Sequence, residues 1–294
     1  MSKTTSKSVS IIMPAYNEEE NIADVISEIH RVLGDKTQII VVDDGSTDKT
    51  GEIARQSGAT VVTHPYRKGN GAAIKTGVRN AEGDIVVLMD ADGQHPPELI
   101  PELLEQTDIY EMTVCARQNF FEISRFRGLG NRIYNTLASY VTNINVADLT
   151  SGFRAIRTDL INRYLYLLPN GYSYPTTITL AVIKAGYSVK YIPYKCRVRK
   201  GKSKLNPVKD GLRFLVILLK IATLFSPMKI FAPISTVFIF VGVLLYIIIF
   251  STASRFPKTS LLLIIVGAMI FLMGLVAEQI AMLRMETRES RNGK

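Results

Sequence analysis

An apolar run, Ile85-Val86-Val87-Leu88-Met89, leads straight into Asp90-Ala91-Asp92-Gly93-Gln94. Two carboxylates two residues apart repel each other unless a cation joins them, and a side-chain amide follows at the same interval. Hard oxygen donors on a sharp turn suit Mg2+ or Mn2+, which makes Asp90, Asp92 and Gln94 the candidate metal ligands. A cation held there acts as a Lewis acid on a phosphate-bearing substrate and stabilises a departing diphosphate.

Four further clusters carry chemistry. Pro14-Ala15-Tyr16-Asn17-Glu18 follows apolar Ile11–Met13, and Asp43-Asp44-Gly45-Ser46 follows Ile39–Val42. Either one alone reads equally well as a turn and a helix cap. Gly69-Asn70-Gly71-Ala72-Ala73 places small residues at a helix start, where backbone can approach a ligand closely. It lacks the Gly-Lys-Ser/Thr of a P-loop. Asp148-Leu149-Thr150-Ser151-Gly152-Phe153-Arg154 gathers a carboxylate, two hydroxyls and an arginine.

Cations surround that last cluster. Arg117, Arg125, Arg127 and Arg132 precede it, and Arg197, Arg199, Lys200, Lys202, Ser203 and Lys204 follow. Such a set meets anionic lipid headgroups or a phosphate-bearing lipid substrate, and the two readings overlap. His64 and His95 have no ligand partners nearby in sequence and read as structural. Tyr164, Tyr166, Tyr172 and Tyr174 read as core or interface residues rather than a stacking platform, so no nucleic-acid partner is expected.

The elements that must hold these clusters are short β-branched runs at Val9–Met13, Gln38–Val42, Thr60–Thr63, Ile85–Met89 and Met112–Cys115. Helical patterns such as Ile22, Val25, Ile26, Ile29 and Leu33 fall between them, and a helix is expected over about 126–142. Strands alternating with helices give an α/β fold with a mostly parallel sheet covered on both faces. In such sheets ligands bind beyond the carboxyl ends of the strands, where these clusters lie.

The chain has 294 residues, of which 47% are hydrophobic and 21% charged, enough for a sizeable core. Net charge is +9, split unevenly: residues 1–114 hold 10 Lys/Arg against 19 Asp/Glu, and residues 115–294 hold 25 against 7. An acidic front suits a cation and a basic rear suits anionic lipid or phosphate. Two distant cysteines, Cys115 and Cys196, exclude a disulfide scaffold and a zinc ribbon. The polar start MSKTTSKS reads as no secretory leader.

The end of the chain differs. No charge lies between Lys229 and Arg255, nor between Lys258 and Glu278. Each stretch is long enough to span a bilayer, which takes roughly 20 apolar residues. The short connection with Pro257 makes them a hairpin, and basic flanks at both its ends put residues 1–229 and the C-terminus on the cytoplasmic side. Residues 208–225 read as a helix lying in the interface, with a buried core helix as the alternative. The expected organisation is a catalytic domain over 1–205, a juxtamembrane helix over 206–228 and a hairpin over 229–294, with spans at about 231–251 and 260–282.

In this order the clusters resemble family 2 glycosyltransferases of the glycosyltransferase A fold, a Rossmann-like sheet. The last two, with Arg-Lys-Gly-Lys-Ser-Lys and the hairpin, are similar to its polyprenyl-phosphate branch, which includes dolichyl-phosphate mannose synthases and bactoprenol glucosyltransferases. The resemblance implies a metal-dependent hexosyltransferase. It would move a sugar from a UDP- or GDP-linked donor to an undecaprenyl or dolichyl phosphate, with inversion. Pro14, Tyr16, Glu18, Val42 and Asp44 would line the base and ribose pocket. Asp90, Ala91 and Asp92 would hold ribose and diphosphate through Mg2+ or Mn2+, with Gln94 a further ligand.

Carried over in the same way, Arg117, Arg127 and Asn131 would face the lipid phosphate, and Arg199, Ser203 and Lys204 would close over the phosphates. Asp92, Arg117 and Asp148 form the expected catalytic set, Asp148 orienting the acceptor or acting as a base. Asn170-Gly171-Tyr172 stands where mannose synthases often have Lys-Gly-Tyr, and the following Ser-Tyr-Pro-Thr-Thr-Ile-Thr-Leu lacks their acidic residue. Mannose is therefore not implied. A two-pass protein of a prokaryotic plasma membrane is expected, with a homo-oligomer left open. The competing readings are a transferase acting on a non-phosphate lipid headgroup and an inert membrane scaffold.

Overall fold

Runs such as Val9–Ala15 (β1), Gln38–Asp43 (β2) and Ile85–Leu88 (β4) are apolar without alternation because helices cover both sides of the sheet they form. Thr60–Thr63 (β3) is an exposed edge, and Met112–Arg117 (β5) is buried over most of its length. The computed structural model describes residues 7–35, 37–118, 125–171, 173–197, 223, 226–253 and 257–292, with the side chains of 125–129 and 284–292 excepted. The chain separates into two compact units, Met1–Pro207 and Val208–Lys294.

In the first unit the sheet order is β3-β2-β1-β4-β6-β5-β7, where β6 is Arg154–Arg157 and β7 is Val189–Tyr194. Strands β1, β2, β3 and β4 pair in parallel, as do β5 and β7. Only β6, among the described strands, runs antiparallel, to both β4 and β5. The expected mostly parallel sheet is therefore present, with two strands beyond the five read from the sequence. β1 and β5 also run two residues further than expected, which carries Ala15 and Arg117 to the strand ends.

Alternate residues divide the core. Ile11, Met13, Ile39, Val41 and Val87 face the helices Ile22–Leu33 (α1) and Ile100–Glu105 (α4). Ile12, Val86, Leu88 and Val114 face Asn70–Arg79 (α3), Thr158–Tyr164 (α6) and Tyr174–Lys184 (α7). Thr50–Gln56 (α2) and Arg125–Thr142 (α5) are the other α-helices among the described residues of this unit, the latter close to its expected range. Order reverses between β1 and β4, and a crevice at their carboxyl ends is where doubly wound sheets bind ligands.

The second unit holds Met228–Ala253 (α8) and Lys258–Asn292 (α9), packed antiparallel. Both are long and apolar enough to cross a membrane, over Met228–Thr252 and Lys258–Leu283, and these stretches contain the two expected spans. Small residues let the helices approach. Ser235 Oγ donates to the Gly267 carbonyl at 2.7 Å, and Ser260 Oγ donates to the Gly242 carbonyl in return. A Cβ on Gly267 would stand 2.6 Å from Ile239, so nothing larger fits without parting the pair. Glu278 accepts the Met228 N–H at 3.0 Å and so caps α8. Almost all of the expected interfacial helix lies outside the described residues.

Candidate active site

The turn after β4 is held from beneath. The Asp90 N–H donates to His95 Nδ1 at 3.0 Å, and the Gln94 N–H donates to Asp92 Oδ1 at 3.1 Å. His95 is buried and stacks on Phe153, ring centroids 5.0 Å apart. Burial pushes its pKa down to about 4, so at neutral pH it is the uncharged acceptor that the Asp90 N–H requires. His95 thus braces the turn from the core side.

Gly152 lies against the turn, next to Asp90 and Tyr174. A Cβ there would stand 3.4 Å from Asp90 Oδ2 and 3.3 Å from the Tyr174 hydroxyl. Gln94 donates its amide to the Arg197 carbonyl at 3.3 Å, which leaves Oε1 as its acceptor end. Two carboxylates and an amide oxygen fit a hard divalent cation. No group of three His, Cys, Asp or Glu side chains gathers among the described residues. Substrate phosphate or water would therefore complete the shell.

The loops after β1 and β2 are laced together at the mouth. The Asp44 N–H donates to the Ala15 carbonyl at 2.9 Å, the Glu18 N–H to Thr50 Oγ1 at 2.8 Å, and the Asn17 N–H to Ser46 Oγ at 3.1 Å. Pro14, next to last in β1, pairs in register with Val42, and the Arg67 guanidinium lies 4.2 Å over the Tyr16 ring. Glu18 Oε2 accepts from Asn21 Nδ2 at 3.0 Å.

Two members of this expected pocket act differently from the expectation. The Val42 side chain is fully enclosed with Ile40 and Ala73, so it belongs to the core and not to a pocket wall. Asp44 is almost wholly buried. It accepts from His64 Nδ1 and from the Lys68 and Gly69 N–H groups, each at 2.8 Å. His64 in turn reaches Thr76 Oγ1 at 2.9 Å. Asp44 therefore shapes the loop that carries Arg67.

Gly69 and Gly71 correct another expectation. What approaches their backbone is the chain itself: a Cβ on Gly71 would stand 2.0 Å from the Pro169 carbonyl oxygen. The Ala72 N–H donates to the Asn170 carbonyl at 3.1 Å, and Lys75 holds the Asn170 side chain. Backbone can yield only by moving. Gly71→Ala is therefore expected to displace 169–171 and cost about 1–3 kcal/mol, read as a lower thermal midpoint.

The cluster around Asp148 is arranged around Arg117. Asp148 is fully buried, and Arg117 forks onto it, Nε to Oδ2 at 2.8 Å and an Nη to Oδ1 at 3.1 Å. The Arg117 N–H adds a bond to Oδ2 at 3.2 Å, and the Thr150 N–H one to Oδ1 at 3.1 Å. Arg117 also donates to Thr150 Oγ1 at 2.7 Å, and Thr150 Oγ1 donates to Asn131 Oδ1 at 3.4 Å. Both oxygens of Asp148 are committed, so its geometry is that of a partner to Arg117 and not of a base.

Arg154 supports this cluster from within the core, donating to the Ser151 carbonyl, and does not open to the crevice. It lies in β6, fully buried, donating to the Pro175 carbonyl at 3.1 Å and to Thr179 Oγ1 at 2.9 Å. Ala91 is also buried. Arg127 falls in α5, but its side chain lies outside the described residues, as do Arg199, Ser203 and Lys204 altogether.

Arg197, first of the basic run named above, also meets this turn. Its N–H donates to the Gln94 carbonyl at 3.2 Å, and its guanidinium pairs with Glu28 at 2.9 Å and Glu98 at 3.0 Å. With Asn21, Asp24 and Asp92 it lines a cleft of about 150 Å³ beside the turn.

Comparison with known proteins identifies the family and the fold. The family described as glycosyl transferase family 2 matches residues 10–165, and a GtrB C-terminal hairpin matches residues 226–283. A dolichyl-phosphate hexose transferase of Haloferax volcanii is 31% identical over 72% of this chain and 92% of its own length. An undecaprenyl-phosphate 4-deoxy-4-formamido-L-arabinose transferase of Edwardsiella ictaluri is 28% identical over 97% of this chain and 92% of its own. The fold is shared with glucosyl-3-phosphoglycerate synthase of Mycobacterium tuberculosis, solved with Mn2+, UDP and glucosyl-3-phosphoglycerate. The TM-score is 0.60 at 23% identity, over 74% of this chain and 80% of that one.

Proposed function

Since the chain belongs to glycosyl transferase family 2, we propose that it transfers a sugar, with inversion, from a UDP- or GDP-linked donor to a polyprenyl phosphate. The observation that carries this reading is the Asp90–Gln94 turn at the β1/β4 crevice, with the Arg117 fork presented from the end of β5 in the same unit. The hairpin and the polyprenyl-phosphate relatives support the acceptor class.

Pro14, Tyr16, Glu18 and Asp44 build the mouth that receives base and ribose, Asp44 by fixing the loop that carries Arg67. Asp90, Asp92 and Gln94 would hold Mg2+ or Mn2+, which neutralises the diphosphate as it leaves. The acceptor phosphate is already an anion, so its oxygen attacks the anomeric carbon without a general base. The catalytic unit then supplies positioning and charge. Arg117 faces that phosphate, Asn131 and Thr150 line its approach, and Arg127, Arg199 and Lys204, with the Ser203 hydroxyl, would close over the phosphates. The hairpin anchors the enzyme in a prokaryotic plasma membrane, with the catalytic unit in the cytoplasm.

The test is nucleoside diphosphate release from a panel of UDP- and GDP-sugars, with Mg2+ or Mn2+, with and without polyprenyl phosphate. Release that needs both the metal and the lipid phosphate is the expected result. Release driven by a neutral lipid such as diacylglycerol would overturn the acceptor assignment.

A further inference from the structure

Gln94 is held at both its main chain and its side chain by one residue from far along the sequence. Its carbonyl accepts the Arg197 N–H at 3.2 Å, and its side-chain Nε2 donates to the Arg197 carbonyl at 3.3 Å. A carbonyl oxygen only accepts, so this bond decides which end of the amide faces residue 197. The nitrogen is committed there, and Oε1 is the end left for a hard cation. Cys196 Sγ, one residue earlier, also donates to the Gln94 carbonyl at 3.6 Å.

Residue 197 lies three positions past the end of β7, beyond the ladder of the sheet. Its side chain ties it down instead. One Nη meets Glu28 of α1 at 2.9 Å, and the other meets the two oxygens of Glu98 at 3.2 and 3.0 Å. Glu98 stands in the single helical turn Pro97–Leu99 that leads into α4. Both carboxylates ride on elements anchored in the core, α1 through Ile26 and Ile29 and the start of α4 through Ile100. Three carboxylate oxygens around one planar fork fix its direction. The side chains of Arg197, Glu28 and Glu98 are 40%, 29% and 48% exposed, and pairs this open add little to global stability. What they do fix is the backbone at 197, and through it the Gln94 amide.

We propose that Arg197 is a positioning residue for the metal site. Pinned to Glu28 and Glu98, it holds its own backbone against the turn and so presents Gln94 Oε1 to the cation. The inference rests on Gln94 being a metal ligand. A partner that orients a ligand in this way typically changes affinity for the ion by about tenfold or more.

The sign of the effect separates positioning from plain electrostatics. Asp24, Glu28 and Asp92 line the same cleft, and the guanidinium is a positive charge among them. By charge alone, removing it favours a cation, so Arg197→Met would tighten Mn2+ binding. By positioning, the same variant weakens it.

The test titrates Mn2+ into the full chain in detergent with UDP or GDP present. Bound ion is read from loss of the free-ion EPR signal against a protein-free control. Arg197→Met is expected to raise the Mn2+ Kd about tenfold while the thermal midpoint stays nearly constant. Arg197→Lys keeps the charge without the fork and should recover part of the affinity. In a Gln94→Ala background Arg197→Met should add little, because the group it positions is gone.

Unchanged or tighter binding in Arg197→Met, or its full loss added on top of Gln94→Ala, would overturn the proposal. Wild-type Mn2+ affinity in Gln94→Ala would remove Gln94 from the metal site, and this inference with it. Weakening by Gln94→Ala but not by Arg197→Met keeps the ligand and discards the role of Arg197, so the two failures read differently.

Discussion

Asp92→Ala is expected to lower sugar transfer by a factor on the order of a thousand while the protein stays folded, because one of two carboxylates facing the departing diphosphate charge is gone. Asp92 Oδ1 also accepts the Gln94 N–H, so alanine both removes the charge and loosens the turn. Asp92→Asn separates the two effects, since an amide oxygen keeps the hydrogen bond and loses the charge. Near-equal loss in both variants, at unchanged thermal midpoint, assigns the effect to charge. Substantial turnover by Asp92→Ala with added Mn2+ would remove Asp92 from metal binding.

The second large effect concerns Arg117. Truncation to alanine leaves Asp148 buried without its ion-pair partner, and breaking such a pair costs about 3–5 kcal/mol. Arg117→Ala is therefore expected to lower the thermal midpoint as well as abolish use of the acceptor phosphate, with nucleotide binding weakened less. Arg117→Lys is the sharper probe. A lysine keeps the charge but cannot reproduce the fork onto both Asp148 oxygens. Much of the stability should return and little of the acceptor use. Equal weakening of nucleotide and acceptor binding in Arg117→Lys would count against placing the acceptor phosphate at Arg117.

How far the sequence could be read depended on whether a residue's surroundings were local. β1, β2 and β4 were legible because strands covered on both faces have to be continuously apolar, and the site turns follow them directly. β6 was not, because Arg154-Ala155-Ile156-Arg157 opens on an arginine that composition places at the surface. Only the partners contributed by α7 and by the Ser151 carbonyl make its burial tolerable. β7 was missed because Val189–Tyr194 mixes lysine and proline into a half-exposed strand.

The same limit governed the site. The Asp90–Gln94 ligand pattern lies within five residues and could be recognised from spacing. The pairing of Asp148 with Arg117 joins positions 31 residues apart, and no local spacing shows that the two side chains meet. Gly69 and Gly71 were read as points where backbone could approach a ligand. What approaches them, residues 169–171, lies about a hundred positions later.

The antiparallel strand β6 also sets the order in which the molecule can be completed during synthesis. Residues 148–153 reach the rim beside Asp90 only because the chain then turns back down the sheet between β4 and β5. A nascent chain that has not yet made Arg154 already contains β1 and β4. One side of Ile85–Leu88, four wholly buried apolar residues in the finished sheet, then has no strand to meet. Until translation passes residue 157, the metal-suited turn sits at the end of a bare, sticky edge, the kind of surface that recruits other chains.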